Sequence, residues 1–113
     1  METKELIELF ERNGLRRVDA RALALFMDGK QRTSMEIEQE AGLRQPEVSA
    51  TMPRMVRMGW FSIEYVKKEG KGRPYFIYSL AKAYSEICDD IARERGKMIA
   101  CMMRDMNELR AVA

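Results

Sequence analysis

The feature that most restricts the fold of this 113-residue chain is a change of hydrophobic period near residue 60. Upstream, apolar residues recur at helical spacing. From Phe61 onward, Phe61, Ile63 and Tyr65 alternate with Ser62 and Glu64, the period of a half-buried strand. The stretch Lys67-Lys68-Glu69-Gly70-Lys71-Gly72-Arg73-Pro74 reads as a turn and Tyr75-Phe76-Ile77-Tyr78 as a second strand. The two strands are expected to form a hairpin with a basic tip.

Two helices are expected upstream. Lys4 to Arg12 places Leu6, Ile7 and Phe10 on one face and stops at Asn13-Gly14. A second segment starts near Val18-Asp19, carries Ala22, Leu23, Leu25, Phe26 and Met27 inward, and ends at Asp28-Gly29-Lys30. A short third helix begins at Thr33-Ser34, where Thr33 and Glu36 have capping-box spacing, and ends at Gly42. A fourth begins at Pro46, whose missing amide hydrogen costs nothing in a first turn, and runs to about Met58. Val48, Met52 and Met55 form its inward face. From Ala81 to about Arg110 the chain reads as one helix of ~45 Å at ~1.5 Å per residue. Its stripe, the expected dimer interface, is Tyr84, Ile87, Ile91, Met98, Met102, Met106 and Leu109, interrupted by Arg95. Gly96 weakens its middle and marks a close crossing or a bend.

Composition narrows the function classes. Hydrophobic residues make up 46% and charged residues 34%, as in a folded protein. The longest apolar runs, Ala22 to Met27 and Met98 to Met103, fall far short of the ~20 residues of a membrane span. The amino terminus lacks the layout of a secretory signal, so a cytoplasmic location is expected. With no histidine, the commonest general base and neutral metal ligand are both missing. Cys88 and Cys101 match no zinc spacing and are expected to be buried small apolar residues. No nucleophile sits beside a plausible base, and no glycine loop has phosphate-cradle spacing. A non-enzyme without metal or cofactor is expected. Ten methionines, four of them between Met98 and Met106, point to an apolar surface meant for a partner chain.

The expected architecture is therefore mainly α with a small β-hairpin (α+β), the layout of a winged helix-turn-helix with a long C-terminal dimerisation helix. Residues 1–80 form the DNA-binding domain, its first helix shared with the dimer interface, and residues 81–113 the dimerisation helix. In this layout the third helix braces the fourth, which offers its outer face to the major groove. The formal net charge is only +2, but residues 44–73 hold seven basic and three acidic residues. The positive charge thus gathers on the two elements that would meet phosphates. Candidate DNA contacts are Arg44, Gln45, Pro46, Ser49, Ala50, Thr51, Arg54 and Arg57 on the fourth helix, and Lys68, Lys71 and Arg73 at the hairpin tip. Gln45 suits an adenine edge, Arg54 a guanine, Ala50 a thymine methyl, and Ser49 or Thr51 a base or a phosphate. Packing against the preceding helix is the competing role for Ser49. Glu47 reads as a helix-start charge rather than a cytosine reader.

Gly42-Leu43-Arg44-Gln45-Pro46-Glu47-Val48-Ser49, followed by Met52, Met55 and Gly59-Trp60, resembles the helix-turn-helix of archaeal winged-helix transcription regulators. Gly72-Arg73-Pro74 with Tyr78 and Leu80 resembles their wing and last strand. These regulators are loosely grouped with the ArsR, MarR and TrmB-like proteins, and the resemblance covers roughly residues 15–80. It implies a homodimer on a pseudo-palindromic double-stranded DNA site, with Arg73 on phosphate or in the minor groove. Pro53 departs from the pattern: inside the fourth helix it removes one hydrogen bond and is expected to kink or loosen the helix. That turns Arg54 and Arg57 toward phosphates rather than bases. The competing expectation, motivated by Pro53 and the low total charge, is a winged-helix protein-interaction module that binds no specific DNA sequence. The sequence names no effector ligand.

Overall fold

The computed structural model of the chain describes residues 1–67, 72 and 74–112. Helix α1 (Thr3–Arg12) buries Phe10, with Leu6 and Ile7 packed beside it. Helix α2 (Arg17–Leu25) buries Ala20, Ala22, Leu23 and Ala24, and these small side chains let it run through the middle of the body. It ends in a 3-10 turn at Phe26–Asp28. Strand β1 (Arg32–Thr33) follows, then helices α3 (Ser34–Ala41) and α4 (Gln45–Arg57), strands β2 (Phe61–Val66) and β3 (Tyr75–Leu80), and helix α5 (Tyr84–Arg110). The sheet is antiparallel with order β1-β3-β2.

Strand β1 goes beyond the hairpin expected from the sequence. Arg32 lies opposite Tyr78 and is buried, its guanidinium bound to both Asp28 oxygens at 2.9 and 2.6 Å and to Glu40 at 3.3 Å. It also stands 5.5 Å from the centroid of the Phe26 ring. These hydrogen bonds hold the Asp28 carboxyl well below the usual carboxylate range and raise Arg32 above its own. Phe26 in turn meets Phe61 edge to face at 4.8 Å, so the turn, the sheet and α3 share one core with Leu23, Ile37, Met52 and Met55.

The hairpin is not half-buried along its length. Phe61 and Tyr78 are buried, but Ile63, Tyr65 and Phe76, which continue the same face, are exposed. Alternation assigned them correctly to one face. The strands simply run out past the body, where that face has nothing to pack on. Tyr65 and Phe76 cover each other across the strands, ring centroids 5.6 Å apart.

Helix α5 begins at Tyr84 rather than Ala81, and its first half belongs to the body. Ile87 is fully buried in the core, Ile91 packs against it, and Tyr84 meets Phe10 at 6.3 Å. Asp90 fixes the attachment. Its carboxylate accepts from the Trp60 indole at 3.0 Å, from the Lys82 ammonium, and from the Arg93 guanidinium at 2.5 Å. Lys82 first, then Trp60 and Arg93, lower the Asp90 pKa from 3.8 to about 2. A carboxylate depressed in the folded state contributes stability above its unfolded pKa and loses it as pH falls through the folded one. Trp60 emission is therefore expected to report a loosening of α5 between pH 3.8 and about 2. Asp90→Asn should remove that acid-side step; an unchanged step would contradict the assignment. Beyond Gly96 every described residue is exposed, and the molecule extends 72 × 28 × 25 Å. Among the described residues, no helix is long and apolar enough to cross a membrane.

Candidate nucleic-acid interface

The third and fourth helices are positioned by local chemistry. The Thr33 hydroxyl accepts from the Glu36 amide at 3.2 Å and Glu36 accepts from the Thr33 amide at 3.0 Å, which is the expected capping box. Gly42 sits at φ +64°, a conformation that a Cβ would strain, and the Leu43 amide closes the helix end on the Glu38 carbonyl at 2.9 Å. Helix α4 starts two residues later. Glu47 reaches back to the Arg44 amide at 2.9 Å and also accepts from Arg17 at 3.1 Å. The Arg44 amide, with Arg44 and Arg17 nearby, lowers the Glu47 pKa. Glu47 is thus occupied by the helix start, as its spacing indicated.

The outer face of α4 is its N-terminal half. Arg44, Gln45, Pro46, Ser49 and Ala50 are all exposed, while Val48, Met52 and Met55 face the core. Gln45 donates to the Ser49 hydroxyl at 2.8 Å, so Ser49 points outward with Gln45 and not into the preceding helix. Helix α4 is one continuous helix through Pro53, which is half-buried, and the expected kink does not interrupt it.

Two of the expected contact residues face elsewhere. Thr51 is buried rather than open to DNA, and donates to Asp19 at 3.1 Å. Arg54 holds Asp19 with two prongs, at 2.8 and 2.5 Å. The cause is a buried carboxylate on α2 that needs donors, and the Thr51 and Arg54 side chains of α4 supply them. Arg57 is exposed at the end of α4. Lys68, Lys71 and Arg73 lie outside the described residues; Lys67, just before them, is exposed.

Arg16 and Arg17 were not singled out by sequence. They open α2 and line a groove of about 380 Å3 with Pro46, Glu47, Ala50 and Arg54, beside the exposed face of α4. The adjacent pair of arginines is the sequence signal, and it lies outside the basic stretch 44–73.

The stripe on α5 divides. Ile87 is a core residue and Ile91 is largely covered by its own chain, whereas Tyr84, Met98, Met102, Met106 and Leu109 are exposed. Helical spacing reports a shared face but not what covers it. Cys88 is half-buried, but Cys101 is exposed, against expectation, because no other described part of the chain covers the distal half of α5.

No protein-family model matches the sequence, and no curated protein matches it. Solved structures do. A possible transcriptional regulator from Methanosarcina mazei superposes with TM-score 0.67 at 12% identity, over 96% of this chain and 88% of that one. NadR, in complex with 4-hydroxyphenylacetate, gives TM-score 0.54 at 11% identity over 96% and 75%. Pex from Synechococcus gives 0.51 at 20% identity over 88% and 99%. The fold is a winged helix. Helices α3 and α4 are its helix-turn-helix and β2–β3 its wing, with α1 and the long α5 added at the ends. The winged helix holds the exposed half of α4, the Arg16–Arg17 corner and the wing as separate features of one surface-bearing body.

Proposed function

We propose that the chain is a sequence-specific, DNA-binding transcription regulator acting as a homodimer. The first turns of α4 enter the major groove through Arg44, Gln45, Ser49 and Ala50, and the basic wing, with Lys68, Lys71 and Arg73, lies on the flanking backbone or in the minor groove. The observation that carries this reading is the division of α4. Its N-terminal half is exposed and polar, while Thr51 and Arg54 are spent on Asp19. A helix held by its C-terminal half and open at its N-terminal half suits end-on docking into a groove. Arg16 and Arg17 add phosphate contacts beside it. The name of the Methanosarcina mazei relative, a possible transcriptional regulator, agrees with the reading.

The exposed Ile63, Tyr65 and Phe76 favour the competing protein-interaction module. A salt titration of binding to a mixed duplex pool separates the two. About three to five neutralised phosphates per subunit give a log–log slope near −0.9 per contact. Lys67→Ala and Arg17→Ala should each reduce the slope by about 1 without changing sequence preference. Absence of binding even at low salt would leave only the interaction module.

A further inference from the structure

One face of the wing is apolar, open to solvent and not used by the DNA contacts above. Phe61 lies opposite Leu80, Ile63 opposite Tyr78 and Tyr65 opposite Phe76, so these six side chains share a face of the ribbon. Phe61 and Tyr78 are buried at its root, whereas Ile63, Tyr65 and Phe76 are 43%, 58% and 43% exposed where the strands leave the body. We propose that this face is a minor-groove wedge. The outer wing lies face-on in the minor groove beside each half-site, where Tyr65 and Phe76 press between base pairs, unstack one step and bend the duplex. This role rests on the DNA-binding reading and adds to it which face of the wing meets DNA and what it does there.

Three observations favour stacked bases over a protein as the occupant. The first is charge. Glu64 is the one acidic residue of β2 and β3, and its register opposite Ile77 places it on the reverse face. Lys67, which is exposed, follows β2 directly, and residues 67–73 hold four basic residues and one acidic. An apolar face bordered by cations complements stacked bases bordered by phosphates. Phosphate contact alone leaves the three exposed apolar side chains without a role.

The second is size. At about 150–250 Å2 per aromatic side chain, half-exposed Tyr65 and Phe76 together with Ile63 offer roughly 300 Å2. Each partner in a stable protein complex contributes ~800 Å2. A wedge needs only one or two side chains. The third is shape. The Tyr65 and Phe76 rings stand 5.6 Å apart with 58° between their planes, which makes a ridge rather than a flat stack. Along one face of a strand, side chains recur every ~6.8 Å, the rise of two base steps. Ile63 and Tyr65 on a ribbon that follows the groove therefore meet bases two steps apart.

The side chains also select the step. At the minor-groove floor adenine and thymine present only acceptors, whereas guanine adds an amino group. The Tyr65 hydroxyl donates to such acceptors, and the Phe76 and Ile63 side chains offer nothing to an amino group. Among steps made only of A·T pairs, TA unstacks and kinks readily. A TA step at a fixed distance outside the base pairs that α4 reads is the expected target.

Bending of DNA by the full-length protein tests the wedge. On binding, the ends of a duplex labelled with a fluorescent donor and acceptor should approach, with a bend in the range of about 20–90°. In place of the adenine of the TA step, 2-aminopurine should brighten several-fold as it unstacks. Tyr65→Ala combined with Phe76→Ala should abolish both signals and the preference for TA at that step. The half-site and the salt slope should remain, because no cation is removed. Phe76→Leu keeps an apolar wedge and should preserve the bend. Specific binding by the unmodified protein to a duplex that stays straight would overturn the wedge while leaving the DNA-binding reading intact. So would a bend and a TA preference that survive the double substitution, and either result would return the patch to a protein partner. Failure of the unmodified protein to bind any duplex would overturn the DNA-binding reading, and the wedge with it.

Discussion

Ile87→Ala is expected to cost the fold about 2–5 kcal/mol, the range for truncating a buried aliphatic side chain that leaves a cavity. Ile87 has no exposed surface and lies in the cluster with Phe10, Leu23 and Trp60, so the loss is internal to one chain. In a domain of this size each kcal/mol lowers the melting temperature by roughly 4 °C or more. The same drop should appear at every protein concentration, because no second molecule is involved. Met102→Ala makes the contrast. Its side chain is exposed in the single chain, so its effect should grow with protein concentration as dimerisation contributes more to stability. Urea unfolding of both variants across a hundredfold concentration range separates them. An Ile87→Ala effect that itself varied with concentration would return this residue to the dimer interface.

Arg54→Ala is expected to destabilise by about 2–4 kcal/mol, because it leaves the Asp19 carboxylate buried without its cation. Asp19 keeps only 9% of its side chain exposed, and its remaining donor would be Thr51. Arg54 itself is about a third exposed, which places the cost below that of a wholly buried pair. Combined with Asp19→Ala, the second substitution should cost less than it does alone, by about 1–3 kcal/mol of coupling. Chemical denaturation of the two single variants and the double variant measures this directly. Where Arg54→Ala remains folded, it should bind DNA with unaltered base preference. Unchanged stability together with lost preference at one base pair would instead make Arg54 a base reader.

The contrast between Arg54 and Gln45 shows which parts of the site were legible in the sequence. Features set by neighbours along the chain were readable: the Thr33–Glu36 box, the Gly42 stop, the start of α4 one residue before Pro46, and the inward face of Val48, Met52 and Met55. The exposure of Arg44, Gln45, Ser49 and Ala50 followed from that same inward face. Thr51 and Arg54 were misplaced because their partner, Asp19, lies 32 and 35 residues away, a distance no local pattern spans. Strand β1 is two residues long, too short to show a period, and owes its position to the buried Arg32. Ile63 and Tyr65 alternate as a buried face should, but alternation cannot say where the body ends. Likewise Ile87 and Met102 share one helical stripe, and only the packing assigns the first to the chain's own core and leaves the second open.

The exposed first turns of α4 are expected to read DNA as a symmetric pair. In vitro selection of bound duplexes by the purified protein, repeated with Gln45→Ala, tests it most directly. Two half-sites related by a twofold axis should be enriched. Gln45→Ala should lose discrimination at one base pair in each half-site, worth about 1–3 kcal/mol, while the rest of the motif persists. Enrichment of no sequence, or an identical motif from Gln45→Ala and the unmodified protein, would contradict it.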